Sequence, residues 1–420
     1  MSQIYDFVLL GATGYTGQLC VQYMVDNMPS NVRWAIAGRN RSKLEDVATE
    51  MKVTEAGGAL IGLDLSSESE IVSLAKSTRV LVNIIGPYGT TCGSVVFKAC
   101  AEHGTHYVDG NRAGEPVWRQ EMIEKYEKLA KTSGSKMVIT CGWGAVPADM
   151  STCLAVTSLR RNFSLPTLEV VGALHDIKGS ASGGAVDSIS TSIANNSLSR
   201  LFAAININSI SPVRPVGNPN GKREDGLPKA NIFGVQTIDG MGTMATHFHE
   251  PVDLPLVGRS WGLYASGDAD GTQSYGPNFR FSSRIRWSNA LFAWLFRVTV
   301  VTLAASMLLP PVRYVVGKLF PPGGGASAEQ RRKYHFTYRA ISIADTTHSV
   351  KPKALVEFHY PGDANDFTAM TMTEAGLLLL DEQSSLSKRE GGILTPASLG
   401  DDYVRALQRN GVQISIDTLR

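Results

Sequence analysis

The chain has 420 residues, 43% hydrophobic and 19% charged, with 40 basic against 38 acidic side chains and a net charge of +2. That length holds one large or two ordinary domains with a sizeable core, and so even a charge balance, with no basic tract interleaved with aromatics, argues against nucleic acid as a partner. Five scattered cysteines (Cys20, Cys92, Cys100, Cys141, Cys153) show neither CxxC spacing nor paired histidine ligands and are expected to be reduced, buried thiols of a cytoplasmic protein, while the absence of a basic, apolar leader argues against secretion.

Residues 7–17 read Phe-Val-Leu-Leu-Gly-Ala-Thr-Gly-Tyr-Thr-Gly, an apolar strand running into a glycine-spaced turn. In this spacing Gly11 permits the tight strand-to-helix turn, Gly14 lets backbone amides approach a pyrophosphate, and Gly17 lets the helix pack on the strand. Ala12, Thr13, Tyr15 and Thr16 complete the turn. The phosphates are expected on the N-terminus of a helix starting near Tyr15 or Thr16, where unpaired N–H groups and the helix dipole favour an anion. A helical stretch from Gln18 to Asn27 and a strand from Val32 to Ala37 follow. Next comes Gly38-Arg39, and an arginine where NAD-selective sites place an acid suits the 2′-phosphate of NADP, with NAD(H) as the secondary choice. The alternative reading of Arg39 is a solvated start to a helix from Ser42 to Met51. Leu60 to Leu65 reads as a third strand whose Asp64 could reach adenine. Val80 to Ile85 is a fourth, ending in Gly86-Pro87-Tyr88, beyond the carboxyl ends where open α/β sheets bind ligands.

A helix near Gly93 to His103, a strand at His106 to Asp109, a polar helix near Val117 to Ser133 and a strand at Met137 to Cys141 complete an alternating, parallel core over residues 1–150. A second, α+β substrate or dimerisation region is expected over residues 151–365. It holds strands at Leu168 to His175, Tyr334 to Ala344 and Ala354 to Tyr360, and a polar helix from about Ala185 to Ser199. Ser211 to Pro228 reads as surface loop, and Gly323-Gly324-Gly325 as a flexible linker. Residues 366–420 read as C-terminal helices, near Thr371 to Leu380 and from Leu399 to Arg409, returning to the first domain. Trp287 to Phe320 is long and apolar, interrupted by Arg297, ended by Pro310 and Pro311, and flanked by Arg284, Arg286, Arg313 and Lys318. It suits a helix lying in a membrane or lipid-droplet surface, a buried or lid helix, or a span.

These segments together resemble the saccharopine dehydrogenase-like oxidoreductase family, which includes the trans-acting enoyl reductases of lipid biosynthesis. The carriers are residues 11–17, Ala37-Gly38-Arg39, Gly86-Pro87-Tyr88, Ala101 to Asp109, Ser182-Gly183-Gly184 and Gly391 to Ala397. The resemblance implies a Rossmann dinucleotide-binding domain, a saccharopine-reductase-like second domain, a nicotinamide cofactor and lipid or membrane association. Two departures stand out. Where the family usually reads Gly-Phe-Asp-Ser-Val/Ile-Pro-Ser/Ala-Asp, this chain has Gly142-Trp143-Gly144-Ala145-Val146-Pro147-Ala148-Asp149, which removes an acid and a hydroxyl and suggests a pocket for a bulkier, less polar ligand. Where the family follows Tyr-x-Asp closely with Gly-Glu, Gly110-Asn111-Arg112-Ala113 here precede Gly114-Glu115.

Hydride transfer asks the protein to place the nicotinamide, exclude water and supply a proton. Tyr88 is the first candidate donor, with packing against the cofactor as its alternative. Asp109 is a further candidate beside Glu115, as is His175 beside Asp176, while Trp143, Ser182, Gly183 and Asp187 are candidate substrate contacts. His247, His249 and Glu250 superficially suggest a metal, but no further ligand is evident and none is expected. The reading reached is an NADPH-dependent reductase of an enoyl, imine or ketone group in a hydrophobic lipid or polyketide-like metabolite. Its alternatives are a non-redox isomerase, cyclase or dehydratase on the same scaffold, and a membrane or lipid-droplet protein with a structural nucleotide site. A small hydrophobic substrate is the expected partner; a lipid surface and a second copy of the chain remain open.

Overall fold

The computed structural model describes residues 3–111, 115–179, 183–214, 226–267, 274–321 and 324–419. In chain order the first half comprises β1 (Tyr5–Leu10), α1 (Tyr15–Asn27), β2 (Trp34–Gly38), α2 (Arg41–Glu50), β3 (Ala59–Gly62), α3 (Glu68–Ser77), β4 (Thr78–Asn83), α4 (Gly93–His103), β5 (His106–Asp109), α5 (Pro116–Ser133), β6 (Lys136–Val138) and α6 (Val146–Phe163). The second half comprises β7 (Thr167–Lys178), α7 (Gly183–Asn195), α8 (Leu198–Ala204), β8 (Gln236–Ile238), β9 (Gly242–Thr246), α9 (Glu250–Gly267), β10 (Arg280–Trp287), α10 (Ala290–Ser306), α11 (Pro310–Leu319) and α12 (Ala328–Arg331). It ends with β11 (His335–Ala344), β12 (Lys353–Tyr360), α13 (Ala364–Leu380), β13 (Gly392–Leu394), α14 (Gly400–Arg409) and β14 (Gln413–Leu419).

One sheet has seven strands in the order β13-β6-β5-β4-β1-β2-β3, all parallel. Its central strands are apolar on both faces because helices cover both; Phe7 to Leu10 and Val80 to Val82 are fully buried. Strand order reverses between β1 and β4, the crevice where such sheets bind ligands. The alternating core is therefore a Rossmann sheet, with one strand more than the sequence reading gave. That strand, β13, comes from the C-terminal region. A side chain at Gly391 would collide with the Ala130 carbonyl at the end of α5, which lets the chain enter this edge tightly.

The second sheet also has seven strands, β14-β12-β11-β7-β10-β9-β8, antiparallel except where β10 runs parallel to β7. The terminal residues are thus not helices alone: β14 closes this sheet while β13 closes the other. The helix expected from Thr371 begins earlier, at Ala364, because the Asp363 side chain caps it by accepting from the Asn365 N–H at 2.8 Å. The helix expected over 185–199 is two, α7 and α8, broken before Ser197, whose side chain caps α8.

Trp287 to Phe320 ends β10 and then forms α10 and α11, which meet at 113°. In α10 only Ala293 is buried, and in α11 no residue is. Leu291, Phe292, Val301, Leu303, Tyr314 and Leu319 are all exposed, so the buried-helix alternative is corrected: this pair lies on the outside. No single helix among the described residues is long and apolar enough to cross a membrane; only this bent pair reaches that length and composition together. Of the expected linker, Gly323 lies outside the described residues, and Gly325 is corrected: it rests on the ring of Tyr15, where any side chain would collide. All five cysteines are buried and unpaired with one another.

The seam between the sheets is polar and buried. Asp149 in α6 accepts from Ser260 Oγ at 2.6 Å and from the Ala397 N–H at 2.8 Å. Arg259, 1% exposed, donates to the carbonyls of Ile393 and Ile210 and pairs with Glu127 of α5. Burial pushes the Asp149 carboxyl up to about 7. The folded protein therefore holds a proton on this group that the unfolded chain releases above its ordinary value of 3.8, so its contribution to stability is lost as pH rises through about 7. His106, His175 and His247, held low by burial, act in the opposite sense, so the contribution is read as a difference. Asp149→Asn is expected to lose less stability than wild type between pH 4 and pH 8, by on the order of 2–4 kcal/mol in urea titrations. Parallel pH profiles for the two proteins would refute this role.

Candidate functional site

The site begins where β1 runs into α1. Gly11 has φ +102°, a conformation side chains rarely adopt, and its N–H donates to the Ala37 carbonyl at 3.0 Å. A side chain at Gly17 would collide with the Gly11 carbonyl, so the third glycine sets how closely α1 approaches β1. Gly14 differs: a Cβ there would meet nothing nearer than the Gly11 carbonyl oxygen at 3.7 Å. Gly14 is the N-cap of α1 and no side chain caps the helix, so the N-terminal N–H groups face an open space. Ala12 is buried, and Thr13 and Thr16 flank the turn, half-buried. Tyr15 turns away from the opening: its hydroxyl donates to the Ala326 carbonyl at 2.9 Å, which leaves its backbone, not its phenol, to a ligand.

Arg39 follows β2 and is exposed, and its charge is felt at Cys92, at the start of α4. Asp64 lies beyond β3 in a turn of its own, accepting from the Ser66 N–H at 2.9 Å and from its hydroxyl at 2.7 Å; these bonds hold its carboxyl below the usual range. Gly86 and Pro87 follow β4, where a Cβ on Gly86 would lie 3.5 Å from Ser188 Oγ of α7. Helix α7 thus covers the carboxyl end of β4. Asp187, on the same helix, is half-buried, and its negative charge helps raise Glu115. Gly183 opens α7, and Ser182 lies outside the described residues.

The catalytic candidates change most. Tyr88 is 3% exposed, its ring packs on Trp118, and its hydroxyl donates to the Asn83 carbonyl at 3.0 Å, so it is held as a wall rather than presented as a proton donor. Glu115 fixes the same loop by accepting from the N–H groups of Tyr88 at 2.8 Å and Gly89 at 2.7 Å. Asp109 is fully buried and accepts from the N–H groups of Thr140 at 2.7 Å and Asn111 at 2.9 Å. It ties the ends of β5 and β6 together, with burial raising its carboxyl to about 6. His175 points to the wrong face of the second sheet, 3.3 Å from Arg339 and away from the first sheet's carboxyl ends. Its neighbour Leu174, which pairs with Tyr338 next to an irregularity in the β7–β11 register, lines the cleft instead.

Beyond β6, the turn at residues 142–149 forms one wall of a small cleft of about 10 Å³, room for one water-sized group, closed by Leu174, Tyr338, His247, His249 and Asp253. Trp143 stands edge-on to His249 with ring centres 4.7 Å apart, and its N–H donates to Thr368 Oγ1 at 3.1 Å. Gly144 leaves room in front of His249, whose ring carbon would lie 3.6 Å from a Cβ there. His247 and His249 sit in the turn between β9 and α9. Among the described residues no group of three or more His, Cys, Asp or Glu could hold a metal ion. His247, Asp253, Ser283 and Tyr338 were not selected from sequence as substrate or catalytic residues.

The glycine turn, the uncapped helix and the basic side chain after β2 fit a dinucleotide phosphate, and residues 7–138 match the family model described as the saccharopine dehydrogenase NADP binding domain. A trans-acting enoyl reductase of Mycobacterium ulcerans is 25% identical over 99% of this chain and 98% of its own. A lipid droplet localized protein of Caenorhabditis elegans is 25% identical over 95% of each chain. The apo saccharopine dehydrogenase (L-Glu forming) of Saccharomyces cerevisiae covers 99% of this chain and 100% of its own with a TM-score of 0.54 at 12% identity, which is a likeness of fold. Residues 7–138 thus match an NADP-binding domain of the saccharopine dehydrogenase type, the whole fold is similar to that of saccharopine dehydrogenase, and nearly the whole chain is similar to proteins named trans-acting enoyl reductase, which together support an NAD(P)H-dependent oxidoreductase.

Proposed function

We propose that this protein is an NADPH-dependent reductase that delivers a hydride to an enoyl, imine or ketone group of a hydrophobic lipid or polyketide-like metabolite. The observation that carries the reading is the pairing of an open phosphate turn at Gly14 with a small cleft walled by Trp143, both at the carboxyl edge of one parallel sheet. Relatives named trans-acting enoyl reductase that align over almost the whole chain support the reaction class. NADPH, when bound, supplies the hydride. The chain's own part begins with the N–H groups of α1, which receive the pyrophosphate, while Arg39 meets the 2′-phosphate. Helix α7, over Gly86, shields the reacting end from water. The exposed apolar pair α10 and α11, with Arg297, Arg313 and Lys318 and no acidic residue from Arg280 to Phe320, supports work at a membrane or lipid-droplet surface, as does the relative localized to lipid droplets.

Calorimetric titration of the purified chain is expected to show micromolar binding of NADPH and weaker binding of NADH, and NADPH consumption should match product formed. Turnover without net NADPH oxidation would favour a non-redox enzyme, and absence of binding by either nucleotide would end the reading. Gly14→Asp places a side chain and a charge in the phosphate space, so an unchanged NADPH affinity would remove the proposed turn. Arg39→Ala is expected to weaken NADPH by roughly tenfold or more through loss of a charge-assisted contact. NADH should be nearly unaffected, and equal losses for both nucleotides would exclude Arg39 as the 2′-phosphate ligand.

A further inference from the structure

The cleft beside Trp143 contains a buried polar chain that the cofactor does not account for. His247, Asp253, Ser283 and Tyr338 come from the β9–α9 turn, α9, β10 and β11, and each is buried. Ser283 Oγ donates to Asp253 Oδ2 at 2.6 Å and lies 3.4 Å from His247 Nδ1 and 3.5 Å from the Tyr338 hydroxyl. His247 and Tyr338 line the cleft, and His247 Nε2, with its ring only 3% exposed, has no hydrogen-bond partner in the protein. A buried ring nitrogen left unmatched at the wall of a cleft is a place for a ligand atom.

We propose that this cleft, with room for one oxygen-sized group, takes the oxygen of the substrate's reacting carbonyl, with His247 Nε2–H bonded to it and the Ser283–Asp253 pair behind the ring returning the proton. The inference rests on the reductase reading above. Burial keeps the His247 ring neutral across the physiological range and pushes the Asp253 carboxyl up to about 8, so near neutral pH the carboxyl carries a proton. The carboxyl proton then turns to Ser283 Oγ, the hydroxyl proton turns to Nδ1, and the ring proton resides on Nε2. When the acceptor carbon receives a hydride, its π bond opens and the electron pair moves to oxygen. That oxygen takes the proton from Nε2. The Ser283 proton passes to Nδ1 and the Asp253 proton to Ser283, which leaves a carboxylate near the buried Arg119, whose charge already favours it. Water restores the Asp253 proton after product leaves. For an enoyl substrate the same oxygen belongs to the enolate, which then tautomerises. Trp143 and Leu174 are the apolar walls beside that oxygen.

The test uses the full chain saturated with NADP+, titrated calorimetrically with trans-3-decen-2-one and with 1-decene, an alkene without oxygen. Wild type is expected to prefer the enone by roughly tenfold or more, the yield of one buried hydrogen bond. His247→Phe should reduce the preference to about twofold or less with NADP+ affinity unchanged, whereas His247→Gln, which keeps a donor, should restore part of it. Ser283→Ala tests the positioning role: enone affinity should persist while kcat falls and the pH profile loses the limb set by Asp253. If His247→Phe does not fold, Gly144→Leu, which fills the cleft from the opposite wall, carries the test and should abolish enone binding alone. A wild type without preference, a His247→Phe protein that retains it, or unchanged enone binding in Gly144→Leu overturns the inference. Failure of the reductase reading appears separately, as absence of nucleotide binding in wild type. The enone preference is then measured on the free protein, where its loss overturns this inference alone.

Discussion

The buried contact of α6 and α9 with residues 393–397 fixes how the two sheets face each other. Asp149 receives the Ala397 N–H and the Ser260 hydroxyl, and Arg259 grips the Ile393 carbonyl while pairing with Glu127. These groups lie on α5, α6, α9 and β13, so one polar cluster joins both flanks of the Rossmann sheet to the C-terminal chain. Burying such charges costs several kcal/mol unless every donor and acceptor is matched, and most of these are. The cleft depends on this seam, because its walls come from the α6 turn on one side and from β7, β11 and the start of α9 on the other.

Gly376 adds a second constraint of the same kind. A Cβ there would lie 2.5 Å from the Phe7 ring and 3.3 Å from Val82, so α13 rides with its backbone directly on the central strands of the first sheet. The C-terminal chain therefore covers one face of β1 and β4, extends that sheet through β13 and finishes in the other sheet through β14. A segment so shared cannot detach without uncovering both sheets.

The Rossmann half was legible in sequence because its signals are local. Apolar strands buried on both faces read as continuous runs, and three glycines within seven residues carry the phosphate turn. The cleft was not legible, because Trp143, Leu174, His247, Ser283 and Tyr338 are scattered over nearly two hundred residues of sequence and meet only in the fold. His175 shows how narrow the margin is: a one-residue step along β7 decides between the cleft and the Arg339 side. Helix α9 was hidden by Pro255 in its interior and by Gly258 and Gly262. Those glycines sit where side chains would collide with the Ile207 carbonyl and the Ser211 hydroxyl, so tertiary contact overrides local propensity there. β13 is three residues long, too short to carry a period.

Hydrogen bonding gives most of the buried acids a structural task. Asp149 has both oxygens occupied, Glu115 receives two loop amides, and Asp109 ties two strand ends through one oxygen while its Oδ2 is unmatched. His247 has no such account on its cleft side. Leaving a buried polar atom unmatched costs about 1–3 kcal/mol, and a core built for stability alone would replace the ring with an apolar one of similar volume. The chain instead supports this ring with a serine, an aspartic acid and a tyrosine, all removed from water, and opens the space before its neighbour His249 with Gly144. Local rules of this kind are broken where a ligand completes them.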